Sequence, residues 1–483
     1  MRYIFLSLIF IVGFFRVGFA QNPSWRLWAD GLPTGVYPRM VVAPNHDIFY
    51  SLLGAGTNLG LVFKANTQDA MGQFTALPKI PRPSTIQNNI VALGYNRKNE
   101  AIVGIYRSDN TQPWLFKYNK LTDHWDTATS TVTPSLGGHC IATSENGTIY
   151  VGTRWAYIYK STDDGNTYEV LYDSKSVKSA HPCYYPSALN NSDSNGAIFS
   201  IAIDRNGRIY AGTETAGVIF SDDEGKSWHP ADIFTCQTND PNQKDTTSLY
   251  YPLSISGNVA ALGFTKDNAL IWSGVNMWAL NWKNKMGFAD YKSQTVTEIK
   301  GLPDYLIQTG QQVSKIVTTT NGQIFFHSGS STGASQIGIY TSFDGIHWIP
   351  FNIGITGQND GTSQGSLAVD GNKVFMATRD GKVWIYEDSL VSNSDQFVLK
   401  NKSKIKLSPN PVKNLLQIEL DPSIQNEILA FILYDAMGKR INSKQLNSLQ
   451  KLELDVSQFA SGLYYIKWIG RNQTFLNSCF IKN

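Results

Sequence analysis

Apolar residues in this chain fall into short runs separated by turn residues, and one unit recurs along it. An apolar strand leads into a turn centred on Asn, Asp or Gly, and an aromatic or β-branched strand follows that ends in small residues. The copies are VVAPNHDIFYSLLG, ALGYNRKNEAIVGIY, IATSENGTIYVGT, IAIDRNGRIYAGT, LGFTKDNALIWSGV, IVTTTNGQIFFHSG and LAVDGNKVFMAT. Two apolar strands around such a turn predict a β-hairpin, because the turn needs positive φ and Asn, Asp and Gly supply it. The turns centre near Asn45, Lys98, Asn146, Asn206, Asp267, Asn321 and Gly371, at intervals of about fifty to sixty residues. That period leaves room for two further strands per copy, which is the size of a four-stranded propeller blade. The expected fold class is all-β: a seven-bladed β-propeller over residues 21–387, followed by a small immunoglobulin-like β-sandwich.

The second half of the unit carries a sharper pattern. STDDGNTY, with Ser161, Asp163 and Gly165, and SDDEGKSW, with Ser221, Asp223, Gly225 and Trp228, both fit S-x-D-x-G-x-[ST]-[WY]. TSFDGIHW keeps Ser342, Asp344, Gly345 and Trp348, with one residue fewer between Asp and Gly. These residues resemble the Asp box, or BNR repeat, of sialidases, some glycoside hydrolases and many non-enzymatic propellers. The pattern suits a compact turn: Asp accepts backbone N–H bonds, Gly takes the positive-φ position and the aromatic plugs the blade interface. The resemblance implies a propeller and a structural role for the box residues. Other copies are eroded, keeping Trp125 or Phe74 as the closing aromatic. The last copy lacks a fourth strand, so residues Ser24 to Trp28 are expected to pair with it and close the ring.

Residues 388–403 are polar and mixed, as in a linker. Short alternating strands over 404–483 predict the sandwich. Pro409-Asn410-Pro411 enters its first strand, Tyr434-Asp435 is followed by Gly438, and Gly462 and Tyr464 lie near the end. These motifs resemble the type A sorting domain of the type IX secretion system of Bacteroidetes. The resemblance implies the secretion machinery as a partner, transport across the outer membrane, and a released or cell-surface product.

Composition agrees with an all-β fold. Only 16% of the 483 residues are charged, 12% are aromatic, and 40 are Gly, which favours strands and tight turns. A net charge of +3 without a basic block gives no reason to expect a nucleic-acid partner. Residues 1–20 read as a signal peptide: Arg2, an apolar stretch, and small residues Gly18 and Ala20 at the cut. No segment of the mature chain is apolar enough to be a transmembrane span. Cys140, Cys183, Cys236 and Cys479 match no zinc spacing, and neither a metal nor a cofactor is expected.

Function belongs to loops at one end of a propeller channel. Two long inserts, 172–197 and 229–255, join an outer strand to the next innermost strand. One carries His181, Cys183, Tyr184 and Tyr185, the other Cys236, Tyr250 and Tyr251. A Cys183–Cys236 disulfide would tie the loops together, with two separate thiols as the alternative. The tyrosines would stack on sugar rings or pack their own loops. Arg39 in VYPRMVV falls near the place of the first carboxylate-clamping arginine in sialidases, but no second and third arginine can be nominated among Arg97, Arg107, Arg154 and Arg379. Asp204 and Asp370 read as turn residues. The expected function is binding of a glycan or protein through the loop face, with a sialidase-like hydrolase or a lyase as the alternative.

Overall fold

The structure is a computed structural model that describes residues 25–34, 38–52, 60–81, 89–106, 115–130, 138–153, 157–173, 197–213, 218–230, 258–276, 283–290, 295–302, 312–329, 338–352, 355, 367–387, 405–425, 428–435, 440–445, 451–470 and 475–483. It divides into two units, one spanning Ser24–Asp388 and the other built from residues after Ser389.

The larger unit begins with β1 (Arg26–Ala29). Its first sheet is β2 (Pro38–Val42), β3 (Asp47–Leu52), β4 (Val62–Asn66) and β5 (Thr75–Ala76). The second is β6 (Asn89–Tyr95), β7 (Ala101–Tyr106), β8 (Leu115–Asn119) and β9 (His124–Thr127). In the third, β11 (Gly138–Thr143), β12 (Ile149–Thr153), β13 (Tyr157–Ser161) and β14 (Thr167–Asp173) are joined at the edge by β10 (Thr129–Ser130). The fourth holds β15 (Ile198–Ile203), β16 (Ile209–Thr213), β17 (Val218–Ser221) and β18 (His229–Pro230). The fifth holds β19 (Asn258–Phe264), β20 (Leu270–Asn276), β21 (Lys283–Asp290) and β22 (Thr295–Glu298). The sixth holds β23 (Gln312–Thr318), β24 (Ile324–Gly329), β25 (Gly338–Ser342) and β26 (Trp348–Pro350). The last has β27 (Leu367–Asp370), β28 (Lys373–Ala377) and β29 (Val383–Glu387), with β1 as its fourth strand.

The first strands of these sheets touch in cyclic order, β2 to β6, β11, β15, β19, β23, β27 and back to β2. Antiparallel sheets arranged radially around a channel make a β-propeller. The apolar core is accordingly spread between neighbouring sheets rather than gathered at one centre. Ile102, Ile149, Val151, Tyr159 and Tyr168 fill one such interface, and Ile271, Ile324, Phe326, Tyr340 and Trp348 fill another. Every recurring hairpin turns through positive φ, at His46, Asn99, Gly147, Gly207, Asn268, Gly322 and Gly371, which explains the turn residues seen in the sequence. The closing strand lies slightly later than expected: β1 pairs Arg26 with Ile385, Leu27 with Trp384 and Ala29 with Val383.

The second unit contains β30 (Ile405–Ser408), β31 (Leu415–Leu420), a one-turn helix α1 (Pro422–Gln425), β32 (Ile428–Asp435), β33 (Arg440–Gln445), β34 (Lys451–Asp455), β35 (Gly462–Gly470) and β36 (Phe475–Lys482). Strands β30, β31 and β34 form one antiparallel sheet, and β33, β32, β35 and β36 run in order through the other. Leu416, Ile418 and Leu454 from the first and Phe431, Leu433 and Trp468 from the second share one buried core.

Candidate functional site

Aligning the hairpins by their closing backbone bonds gives the channel its layers. Ala43 N donates to Asp47 O, and the same bond recurs at Asn96, Ser144, Asp204, Thr265 and Thr319, each to the fourth residue on. Four residues earlier on each inner strand stand Arg39, Ala92, Cys140, Ser200, Ala261 and Lys315. Their ladder partners on the second strands are Ser51, Gly104, Gly152, Gly212, Ser273 and His327. The small partners make room. A Cβ on Gly152 would come within 2.6 Å of Cys140 Sγ and 2.5 Å of Ile198, so only glycine fits there.

Five inner strands are bulged just before this layer, between Ile90 and Ala92, Gly138 and Cys140, Ile198 and Ser200, Val259 and Ala261, and Val313 and Lys315. A bulge inserts one unpaired residue and re-aims side chains. Here it supplies His139 and Phe199, whose rings lie 5.5 Å apart at 32°. The layer side chains bridge strands: Cys140 Sγ donates to Ile198 O at 3.5 Å and Ser200 Oγ to Val259 O at 3.1 Å. Lys315 Nζ reaches past β27 to donate to Met40 O at 3.2 Å.

These residues line a cavity of about 500 Å3 in the channel, with Arg39, His139, Phe199, Arg205 and Lys315 on its wall among aliphatic side chains and threonines. Burial lowers the Arg39 guanidinium to about 10, well below its ordinary value, with the neighbouring Cys140 opposing that shift. Burial, then the charge of Arg39, lowers the Lys315 amine to about 8. Burial pushes the Cys140 thiol up to about 12 against the pull of the Gly152 backbone and Arg39, so it is a packed thiol and no nucleophile at neutral pH. The buried His327 falls to about 4 and stays neutral.

Of the residues singled out in the sequence, Arg39 faces this cavity. His181, Cys183, Tyr184, Tyr185, Cys236, Tyr250 and Tyr251 lie outside the described residues, as do residues 1–20, most of both inserts and the 388–403 segment. Arg97 is elsewhere, 3.5 Å from Asp164 at a turn of the neighbouring sheet. Lys315 was missed. Its signal was available in the repeat, since it occupies the position of Arg39 when the hairpins are aligned.

The three S-x-D turns share one hydrogen-bond scheme. Ser161 Oγ donates to Asp163 Oδ1 at 2.8 Å and accepts from Gly165 N at 3.0 Å, while Thr167 N and its hydroxyl both donate to Asp163. Asp223 holds Ser221 and Ser227 alike, and the shorter turn has Asp344 accepting from Ile346 N and His347 N. Hydrogen bonds from Ser227 hold the Asp223 carboxyl well below the usual range. Trp228 and Trp348 are buried and each donates to its own turn glycine carbonyl, Gly225 or Gly345, at 3.1 Å. Asp204 caps its own turn through Asn206 N and Arg208 N. Asp370 does otherwise: it accepts from Thr67 and Gln68 and pairs with His46, clasping the last sheet to the first.

In the second unit, Asn410 accepts from Ile481 N at 2.9 Å and donates to Cys479 O at 3.3 Å, placing Pro409-Asn410-Pro411 against the final strand. Tyr464 stacks on Phe480 and donates to Ala460 O at 2.8 Å. Tyr434 is buried, Asp435 pairs with Tyr464 in the ladder, Gly462 opens β35, and Gly438 lies outside the described residues.

Residues 406–482 match the family model of the secretion system C-terminal sorting domain. This domain marks proteins that the type IX secretion system carries to the cell surface or the extracellular space, and that is the destination of this chain. Among the described residues, no helix is long and apolar enough to cross a membrane. A comparison with curated protein sequences finds no match. Among solved structures, YCF48 bound to D1 peptide is 14% identical with a TM-score of 0.49, covering 77% of this chain and 98% of its own. The extracellular domain of a hybrid two-component system of B. thetaiotaomicron is 14% identical with a TM-score of 0.48, covering 95% of this chain and 57% of its own. PorZ, a surface component of the type IX secretion system of Porphyromonas gingivalis, is 13% identical with a TM-score of 0.36, covering 92% of this chain and 51% of its own.

Proposed function

We propose that this chain is an exported binding protein: a seven-bladed β-propeller that captures a glycan or protein through its loop face and channel mouth, delivered by an immunoglobulin-like sorting domain over 404–483. The observation that supports this most is the composition of the channel wall. A cavity of about 500 Å3 combines aliphatic walls and the His139–Phe199 ring pair with the cations Arg39 and Lys315. Apolar surface with a few convergent polar groups is the ordinary make-up of a ligand site. The starts of the inner strands, where these residues stand, are also where the inserts carrying Tyr184, Tyr185, Tyr250 and Tyr251 arrive. In the same reading the S-x-D turns are Asp boxes that fasten blade edges, and they take no part in binding.

The test is a binding screen of the mature chain over glycans and surface proteins, with product analysis of every ligand captured. Capture without breakdown products supports the reading. Capture with turnover replaces it by the glycan-active hydrolase or lyase, and no capture in either set removes it.

A further inference from the structure

We infer that Asn206 is a site of spontaneous covalent modification, where the backbone nitrogen of Gly207 displaces the side-chain amide as ammonia and a carboxylate is left behind. The inference goes beyond the binding reading and does not rest on it.

Among the described residues the pair Asn-Gly begins at Asn146, Asn206 and Asn321, each time in the hairpin turn between an inner strand and its neighbour. The turns share one frame. Each glycine has positive φ, and its N–H donates to the carbonyl of Ser144, Asp204 or Thr319, at 2.9 Å, 3.0 Å and 2.9 Å in turn. The asparagines differ. Asn146 Oδ1 accepts from Ser144 Oγ at 2.6 Å and Thr148 N at 3.1 Å, and Asn321 Oδ1 accepts from the Thr319 hydroxyl and from Gln323 N at 3.4 Å. Both side chains are thereby locked into the turn. In the third turn Asp204 takes over that task, its Oδ1 accepting from Asn206 N at 2.8 Å and Arg208 N at 3.0 Å. The Asn206 side chain is left exposed, with no hydrogen-bond partner among the described residues.

The attacking nitrogens differ as well. Gly147 and Gly322 are buried, and a Cβ on Gly147 would lie 2.8 Å from the Arg97 side chain. Gly207 is exposed, and the same position on it has nothing within 4 Å. Base must reach the amide N–H to remove its proton, so of the three turns this one alone presents both reacting groups to water. Glycine also leaves no side chain in the path of ring formation. The deprotonated nitrogen attacks Asn206 Cγ: a C–N bond forms, the bond to the side-chain nitrogen breaks, and ammonia leaves with the proton. Water then opens the cyclic imide at either carbonyl, giving aspartate or isoaspartate. The new charge falls between Arg205 and Arg208, and isoaspartate lengthens the main chain of a hairpin whose last ladder pair is Ile203 with Ile209.

The test holds the full mature chain folded at mildly alkaline pH in heavy-oxygen water and maps it by mass spectrometry over time. Fragmentation tells isoaspartate from aspartate and separates Asn206 from Asn195, whose Asn-Gly pair lies outside the described residues. Asn206 should convert about tenfold faster than Asn146 and Asn321, the effect of leaving its side chain unbonded, and should carry heavy oxygen in the new carboxyl. Equal rates at the three positions in the folded chain overturn the inference. The difference should vanish in urea, where no turn remains; a difference that persists there belongs to the neighbouring sequence and overturns it too. Asp204→Ser supplies the hydroxyl that Ser144 and Thr319 use, and should slow conversion of Asn206 by about tenfold. A folded Asp204→Ser chain that converts as fast as the native one also removes the inference.

Discussion

The indole N–H of Trp25 donates to the carbonyl of Phe351 at 2.9 Å, joining two residues 326 positions apart. Trp25 also packs against Phe325, Phe351 and Tyr386, which are contributed by the last two sheets of the ring. Three residues on, Trp28 stacks edge-on against Phe375 and donates to Asp69 O at 3.0 Å, so the start of the chain also ties the last sheet to the first. Without β1, strand β29 would be an open edge. The ring is therefore held by its two most distant parts of sequence.

Replacing Trp25 or Trp28 by Ala should cost about 3–5 kcal/mol, the usual loss for a buried large aromatic. Leu27 lies between them and is 40% exposed, and Leu27→Ala should change stability by no more than about 0.5 kcal/mol. Chemical denaturation of the three variants makes the comparison. Equal effects at all three positions would mean that β1 contributes only its backbone.

The S-x-D turns predict an acid sensitivity. At Asp163, burial opposes ionisation, and the N–H and hydroxyl of Thr167, with Ser161 and Asn166, outweigh it, so the carboxyl sits below its usual range. Asp223 and Asp344 are lowered as well. A carboxylate whose folded value is depressed contributes stability above its unfolded value, and that stability is lost as pH falls through the folded one. Asp223→Ala should cost about 1–3 kcal/mol at neutral pH, since it strands the donors of Ser221 and Ser227, and should flatten the acid limb of the stability curve below about pH 4. Thermal melts from pH 3 to 7 would show whether it does.

His327 acts in a higher pH window. Burial lowers it to about 4 from 6.5, so the unfolded chain takes up the proton first as pH falls. Stability is then lost between about pH 6.5 and 4, by at most about 3 kcal/mol. His327→Gln should remove this limb and leave the steeper one below pH 4 in place. A variant with an unchanged slope from 6.5 to 4 would show that His327 does not titrate there.

Asn410 gives the sorting unit a local test. Its side chain bonds both the N–H of Ile481 and the carbonyl of Cys479, so Asn410→Ala should speed amide exchange at Ile481 and cost about 1 kcal/mol. Exchange at Leu416, in the opposite sheet, serves as the control.

Much of this architecture was legible because hairpins announce themselves locally: Asn, Asp and Gly mark the turns, and alternation marks the strands around them. The second half of each unit was legible only where a turn needs special side chains, as at Ser161–Asp163 and Ser221–Asp223. Asp370 does stand just before its hairpin turn, but its bonds to His46, Thr67 and Gln68 were hidden because ring closure, and nothing in its own turn, brings those partners near it. Lys315 was hidden for a similar reason. Alone it is one lysine in a polar stretch, and only the register shared with Arg39 places it inside the channel.

That placement leads to the last prediction, which concerns stability. The folded value of Lys315 is about 8 and its ordinary value is 10.5, with burial the main cause and Arg39 the next. The unfolded chain therefore holds the proton more tightly, and the native protein should gain stability as pH rises from about 8 to 10.5. At neutral pH the charge is still present and its cost is carried in full. Lys315→Met keeps the length of the side chain and discards the charge, at the loss of the bond to Met40 O. It should stabilise the fold by about 1–3 kcal/mol at pH 7 and lose most of that advantage by pH 10.5. If Lys315→Met is instead less stable than the native chain across this range, the lysine is a structural bridge from β23 to β2 and its charge is satisfied within the fold.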